Sequence, residues 1–341
     1  MNKIKLYHRS FSKKPLFFNQ ADGFFIRPHD EEWDKDSPEL LDISITNFCT
    51  NNCAYCYKDS DEKGKHIDVK GLENVLAQIK DRVPQIAFGG GNPNQHPQFA
   101  EILEMTRQKY DIVCNYTTNG KFLTDEIIKV SKGNCGAVAA SWHNNLELLK
   151  NTIERLTSAG VKTNVHYVLY DDSVDLLHEW IKSKPAFLEK VNAIILLALK
   201  SKGRAASIIG HNPYSEKYKV LFNDIFSGKF ITKIGFDSCS VPHIIKHITE
   251  KQMMMVDYCE GSRFSAYISE NLKFSPCSFM AESEGVQLDE NSNFLDIWRN
   301  HEVFVNFRSK LKNVDQCKNC SYNTNCRKCP LFDYDCLNYE A

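Results

Sequence analysis

From about residue 40 onward, short apolar runs typical of β-strands alternate with stretches that have the spacing of amphipathic helices. One such stretch carries Leu72, Leu76 and Ile79 on one face, behind a candidate helix cap at Asp68. Six repeats of this kind predict a parallel sheet whose functional loops lie at the carboxyl ends of the strands. The periodicity fits an open sheet and a barrel equally well. The six strand candidates are Leu41–Thr46, Gln85–Phe88, Asp111–Thr117, Cys135–Ser141, Lys162–Leu169 and Asn192–Leu199.

The segments on either side of this α/β region differ from it in composition and in the spacing of their apolar residues. Residues 1–40 are rich in aromatic side chains and irregular, which favours a short hairpin layer rather than a domain. Residues 41–230 contain the repeats. Seven of the thirteen cysteines lie between Cys259 and Cys336, where apolar periods are weak. We therefore expect residues 231–341 to form a small cysteine-rich domain held by metal rather than by a hydrophobic core.

Composition narrows the class of protein. The 341 residues carry a formal charge of −1, which gives no electrostatic reason to expect nucleic acid or an anionic membrane as a partner. The beginning of the chain lacks the apolar core of a signal peptide, and no run reaches about 18 apolar residues. Thirteen cysteines without an export signal indicate a reducing compartment, so we expect a cytoplasmic protein whose thiols are metal ligands or free.

Three cysteines form the most informative motif of the chain. Cys49, Cys53 and Cys56 have the spacing C-x3-C-x2-C, directly after the first predicted strand. Structural zinc and Fe–S cubanes usually have four protein ligands, so three thiolates favour a [4Fe–4S] cluster with one open iron. A zinc loop completed by a distant ligand such as His66 is the alternative.

This spacing, with Tyr55 just before the last cysteine, resembles the radical S-adenosylmethionine (radical SAM) superfamily. The resemblance implies that the open iron chelates the amino and carboxylate groups of the cofactor S-adenosylmethionine. It also favours a partial (β/α)6 TIM-like barrel, open at one side to admit a large substrate.

Further segments resemble the cofactor-binding motifs of this superfamily. Gly90, Gly91, Asn92 and Pro93 match its GGEP motif, which receives the cofactor's ammonium group. Asn92 replaces the usual glutamate, so its oxygen can accept a hydrogen bond but supplies no charge. The remaining positions that the resemblance implies lie at or near the ends of later strands: Asn119 in a TNG segment, Ser141 for the ribose or carboxylate, Asn164 and His166 on one strand face, and Leu197 in an apolar wall for adenine. For His166, a role in the core or on the substrate side is equally open.

The C-terminal cysteines form a second motif, C-x2-C-x5-C-x2-C from residue 317 to 329, followed by one more cysteine. It resembles the SPASM domain, which holds two auxiliary [4Fe–4S] clusters. The resemblance assigns Cys317, Cys320, Cys326 and Cys336 to an outer cluster, and Cys259, Cys277 and Cys329 to an inner one. A zinc ribbon is the alternative.

Three cysteines are left over. Cys239 is either the fourth ligand of the inner cluster, a hydrogen-atom donor in catalysis, or a structural thiol. An inner cluster whose fourth iron is open to substrate is equally compatible with the motif. Cys114 and Cys135 lie within predicted strands, where buried structural thiols are expected.

The function expected from the resemblance is reductive cleavage of S-adenosylmethionine to a 5′-deoxyadenosyl radical that abstracts hydrogen from a peptide or protein. The leading hypothesis is a maturase of ribosomal peptides that forms a cross-link or an oxidised residue. Alternatives are a peptide epimerase that uses Cys239 as hydrogen donor, a sulfatase-type maturase, a small-molecule dehydrogenase, or a non-enzymatic Fe–S protein. The expected electron donor is a flavodoxin or ferredoxin.

Overall fold

The computed structural model describes residues 4–21, 23–28, 31–208, 211–228 and 232–332. The strands are β1 Ile4–Tyr7, β2 Leu16–Asn19, β3 Phe25–Ile26, β4 Leu40–Thr46, β5 Gln85–Gly90, β6 Val113–Thr118, β7 Cys135–Ser141, β8 Thr163–Leu169, β9 Ala193–Ala198, β10 Ile234–Phe236, β11 Ser265–Ile268, β12 Lys273–Ser275 and β13 Val286–Gln287. The helices are α1 Val69–Ile79, α2 Phe99–Glu104, α3 Asp125–Asn134, α4 Leu146–Ser158, α5 Asp171–Ser183, α6 Glu216–Phe226, α7 Val241–Ile244, α8 Glu250–Met253, α9 Phe294–Asn300 and α10 Glu302–Lys312.

Ten strands form one sheet, in the order β10-β9-β8-β7-β6-β5-β4-β11-β12-β13. Strands β4 to β9 are parallel and follow one another in chain order, with helices between them. This arrangement confirms the predicted α/β class and the partial barrel. All six predicted strands are present. The third begins only at Val113, because Asp111 has a positive φ of 51° that interrupts extended backbone.

The two faces of these strands have different surroundings. Leu41, Ile43 and Ile45 of β4 are fully buried in the core with residues of the helix layer such as Leu72. The alternate residues of each strand point to the opposite face, the interior of the barrel. In β8 this alternation is complete, with Thr163, Val165, Tyr167 and Leu169 buried and the residues between them half-buried.

Local sequence signals fix the helix ends. The Asp68 carboxylate accepts a hydrogen bond from the N–H of Gly71, so Asp68 is the N-cap of α1 as predicted. Asn145 caps α4 in the same way through the N–H of Leu148. Gly160, two residues after α4, has φ +77°, which favours glycine.

The N-terminal strands β1, β2 and β3 form a separate three-stranded antiparallel sheet. Tyr7, Leu16 and Phe18 on its inner face pack with Val113, at the beginning of β6. This sheet therefore covers the amino ends of the barrel strands, away from the cysteine motif.

The segment after residue 231 continues the large sheet. Strand β10 pairs with β9, and β11 pairs in parallel with β4. The ring of Phe274 stacks on that of Phe294, with 4.3 Å between the ring centroids, and its centroid lies 4.6 Å from that of Phe304. Trp298 is fully buried beside them. The expectation that this segment lacks a hydrophobic core is therefore wrong, because aromatic residues far apart in sequence fill the space. The domain boundaries themselves stay a prediction. Within the described ranges, no helix is both long and apolar enough to cross a membrane.

Candidate active site

The C-x3-C-x2-C motif lies on the loop after β4, at the carboxyl edge of the sheet. Burial raises the pKa of the Cys49 and Cys53 thiols, and negative charge on Cys56 raises both further. The three thiols are thus neighbours in space. The amide of Asn51 donates to the Cys53 sulfur at 3.1 Å, and that of Asn119 donates to the Cys49 sulfur at 3.7 Å. Such donors stabilise thiolate charge.

The loop after β5 runs against the cysteine loop so closely that glycine is required. A Cβ at Gly90 would lie 2.0 Å from the carbonyl oxygen of Thr46, and one at Gly91 would lie 2.1 Å from that of Phe48. Gly90 also has φ +116°. The N–H of Gly91 donates to the carbonyl of Thr46, and the N–H of Asn92 donates to the carbonyl of Phe48. Main-chain hydrogen bonds therefore join the two loops.

Asn92 links this loop to the end of β6. Its side chain is 1% exposed, and its Oδ1 accepts from the N–H of Asn119 at 3.1 Å and from the hydroxyl of Thr118 at 3.4 Å. Its Nδ2 donates to the carbonyl of Lys121 at 3.2 Å. The contact with the cofactor's ammonium group stays a prediction. What the structure adds is a positioning role, because Asn92 ties the GGGNP loop to the TNG loop.

The other predicted cofactor residues lie on later strands of the same sheet. Ser141 pairs in register with His166, whose Nδ1 lies 3.2 Å from the Thr117 hydroxyl and whose pKa burial lowers to about 4. Asn164 accepts from the Asn192 amide at 2.9 Å. Two further predicted residues complete the set: Leu197 is half-buried on β9, and Pro93 is buried at the start of a short 3-10 turn. Their contacts with S-adenosylmethionine stay predictions.

Tyr55 and Arg204 hold the cysteine loop from outside, a role that the motif spacing did not reveal. The Tyr55 hydroxyl donates to the carbonyl of Trp142 at 2.6 Å and lies 2.8 Å from Nδ1 of His143. The same nitrogen is 3.3 Å from the Cys53 sulfur. Arg204 donates through Nε to the Cys53 carbonyl at 2.8 Å. The only sequence signal was the resemblance of residues 200–204 to the K-x2-GR ending of a sixth strand.

The predicted inner-cluster cysteines are also neighbours. Burial raises the pKa of Cys259 and of Cys277, and negative charge on Cys329 raises both further. Burial likewise raises the pKa of Cys239 well above its usual value, with further contributions from Asp237 and from these two cysteines. The structure therefore brings Cys239 to the same place as the inner set, although 20 residues separate it from Cys259. Its role stays a prediction.

Three predicted outer-cluster cysteines, Cys317, Cys320 and Cys326, line one cavity of about 320 Å³. Cys336 lies outside the described residues. Cys114 and Cys135 pair in register on β6 and β7, and the Cys114 thiol donates to the Asn134 carbonyl at 3.3 Å. Among the residues that the structure describes, no three His, Cys, Asp or Glu side chains are grouped as the ligands of one metal ion.

The residues at the carboxyl edge fit a [4Fe–4S] cluster with one open iron. Three neighbouring thiols supply the ligands, and Asn51 and Asn119 supply hydrogen bonds to sulfur. At Gly89 a Cβ would meet no atom within 4 Å, so a ligand's polar groups can approach the main chain at that residue.

Comparison with known proteins supports this assignment. Residues 43–140 match the family model of the Radical SAM superfamily. The AdoMet-dependent heme synthase of Nitratidesulfovibrio vulgaris is 21% identical over 334 residues, covering 87% of this chain and 88% of the relative. SuiB of Streptococcus suis bound to the precursor peptide SuiA has a TM-score of 0.71 at 15% identity, covering 89% of this chain and 76% of SuiB. The anSMEcpe structure with bound AdoMet and Cp18Cys peptide has a TM-score of 0.60 at 17% identity, covering 83% of this chain and 86% of that one.

Proposed function

Because this chain belongs to the radical SAM superfamily, we propose that it reductively cleaves S-adenosylmethionine and removes a hydrogen atom from a peptide or protein substrate. The observation that carries the proposal is the grouping of Cys49, Cys53 and Cys56 beside the glycine loop of β5. When bound there, the reduced cluster and the cofactor supply a 5′-deoxyadenosyl radical.

The chain's own residues bind and orient these groups. Cys49, Cys53 and Cys56 would ligate the cluster, and Asn119 donates to the Cys49 sulfur. Ser141 and His166 face the barrel interior from adjacent strands, where they would contact the cofactor's ribose or carboxylate. The half-buried interior between them is where a substrate would meet the radical with little surrounding water.

A peptide substrate is supported by two structural neighbours. SuiB was solved with the precursor peptide SuiA, and anSMEcpe was solved with the Cp18Cys peptide. For this chain we propose a peptide maturase that forms a cross-link or an oxidised residue, with two auxiliary clusters in the C-terminal segment and a flavodoxin or ferredoxin as electron donor. Cys239 would complete the inner cluster, since it lies with Cys259 and Cys277.

A second candidate is chemistry on a small molecule. The similarity to AdoMet-dependent heme synthases extends over 87% of this chain, so a tetrapyrrole substrate is the specific form of this alternative.

The test uses anaerobically reconstituted protein that is reduced in the presence of S-adenosylmethionine. The expected product is 5′-deoxyadenosine, detected by mass spectrometry. Its absence from the wild type would overturn the proposal, and the triple variant Cys49→Ala, Cys53→Ala, Cys56→Ala is the negative control.

The substrate class is tested with peptides encoded beside the gene and, in parallel, with porphyrin precursors. A cross-link removes two hydrogen atoms from the peptide, whereas an epimerase leaves its mass unchanged in water and introduces deuterium from heavy water. Turnover of a porphyrin but not of a peptide would favour the second candidate.

A further inference from the structure

The interior of the barrel is lined mainly by neutral side chains. The inward positions of β5 to β9 carry Gln85, Ala87, Gly89, Val113, Asn115, Thr117, Ala137, Ala139, Ser141, Asn164, His166, Val168, Ala193, Ile195 and Leu197. Those of β4 are Leu40, Asp42, Ser44 and Thr46. Among the described inward positions of β4 to β9, Asp42 is thus the only carboxylate. Burial lowers the pKa of His166, which keeps that residue neutral.

Asp42 has no ion-pairing or hydrogen-bonding partner among the described residues. It pairs in register with Ala87 on one side and Tyr267 on the other. Lys58, whose Nζ contacts the Tyr267 hydroxyl at 2.8 Å, is already paired with Glu270 at 2.8 Å.

The surroundings of Asp42 disfavour an unneutralised negative charge. The side chain of Asp42 is exposed to solvent, and the surrounding protein together with the nearby carboxylate of Glu260 raises the pKa of Asp42 to about 7. A cation placed beside Asp42 would offset both effects.

We propose that Asp42 binds a positively charged group of the substrate, an amine or a guanidinium, inside the barrel. This inference rests on the proposed function, because it assumes that the substrate enters the barrel. Asp42 lies four residues before the end of β4, which is roughly 13 Å along the strand from the carboxyl edge. The site therefore selects a substrate whose basic group lies far from the carbon that reacts, as in a peptide with a lysine or arginine near the modified residue.

The test compares two probes of nearly the same shape, the cation n-butylguanidine and neutral n-butylurea, on the anaerobic reconstituted enzyme by calorimetry. The wild type is expected to bind the guanidine at least tenfold more tightly than the urea. Asp42→Asn should abolish this preference. Asp175→Asn, which removes an exposed carboxylate on the outside of α5, should keep it.

Equal affinity of the wild type for both probes, binding of neither, or an unchanged preference in Asp42→Asn would overturn the inference. Iron content and circular dichroism of the variant confirm that it is folded. Formation of 5′-deoxyadenosine separates this inference from the proposed function. Asp42→Asn should retain that reaction, and its absence from the wild type would count against the proposed function alone.

Discussion

Replacing Asn92 with alanine should loosen the loop at the end of β6. The Asn92 oxygen is the only hydrogen-bond acceptor for the N–H of Asn119 within the described residues. The other two partners of Asn92, the Thr118 hydroxyl and the Lys121 carbonyl, each also contact Asn94. A buried donor without a partner costs about 1–3 kcal/mol, so opening of this loop should become easier by about 2 kcal/mol.

Hydrogen exchange of the peptide that covers residues 116–123 measures this opening directly. A change of about 2 kcal/mol corresponds to roughly thirtyfold faster exchange. Asn94→Ala is the matched control, because it removes two buried hydrogen bonds to the same loop but leaves the Asn119 N–H satisfied; we expect less than about fivefold acceleration. Equal acceleration in both variants, or none in Asn92→Ala, would refute the reasoning.

The same variant tests the predicted contact with the cofactor. If Asn92 also receives the ammonium group, Asn92→Ala should weaken S-adenosylmethionine binding by about 0.5–1.5 kcal/mol, and Asn92→Glu should match or tighten it. Unchanged affinity in both variants would show that Gly90–Asn92 acts only as a turn.

Three further predictions concern the clusters. The triple variant Cys49→Ala, Cys53→Ala, Cys56→Ala should lose about four of roughly twelve iron atoms and all cofactor cleavage, whereas zinc with about four irons in the wild type would contradict the auxiliary clusters. If Cys239 is a ligand, Cys239→Ala should alter the spectrum of the inner cluster; full iron with a persistent substrate radical would identify a hydrogen donor instead, and full iron with full product would leave only a structural role. Gly91→Ala should place a methyl group against the cysteine loop, lowering iron retention at least as much as a single cysteine substitution, and normal iron and activity would show that the loops can separate at little cost.

The sequence predicted the barrel well because its strands are long, apolar and separated by amphipathic helices. Strand β7, Cys135–Ser141, has the predicted bounds, since every residue in it is compatible with extended backbone. Strands β10 to β13 were not predicted, because each has only two to four residues. In addition, β10 and β11 pair with strands far away in sequence. Runs of that length carry too few positions to show an alternating pattern.

The candidate site was predicted from the spacing of cysteines and motif residues along the sequence. That spacing does not show which loops contact one another in the folded chain. The grouping of Cys239 with Cys259 depends on where β10 and β11 join the two sides of the sheet. The hydrogen bond between Asn92 and the N–H of Asn119 forms because β5 and β6 are neighbours in the sheet. A motif of five residues does not show which strands are neighbours. Both features are tertiary contacts, so only the folded chain reveals them.

The pairing of β11 with β4 has a consequence for the order in which the chain folds. Strand β4, Leu40–Thr46, leads into the cysteine loop, yet one of its two neighbours comes from Ser265–Ile268, more than two hundred residues later. During synthesis the β4 edge stays open until that segment emerges, and such distant pairing forms slowly. Chains that end before β11 should therefore expose an unpaired strand edge and aggregate. We therefore expect the cluster at Cys49 to be assembled only after the C-terminal segment has paired with β4. A substitution that unfolds the C-terminal cysteine region should then also reduce iron binding at Cys49.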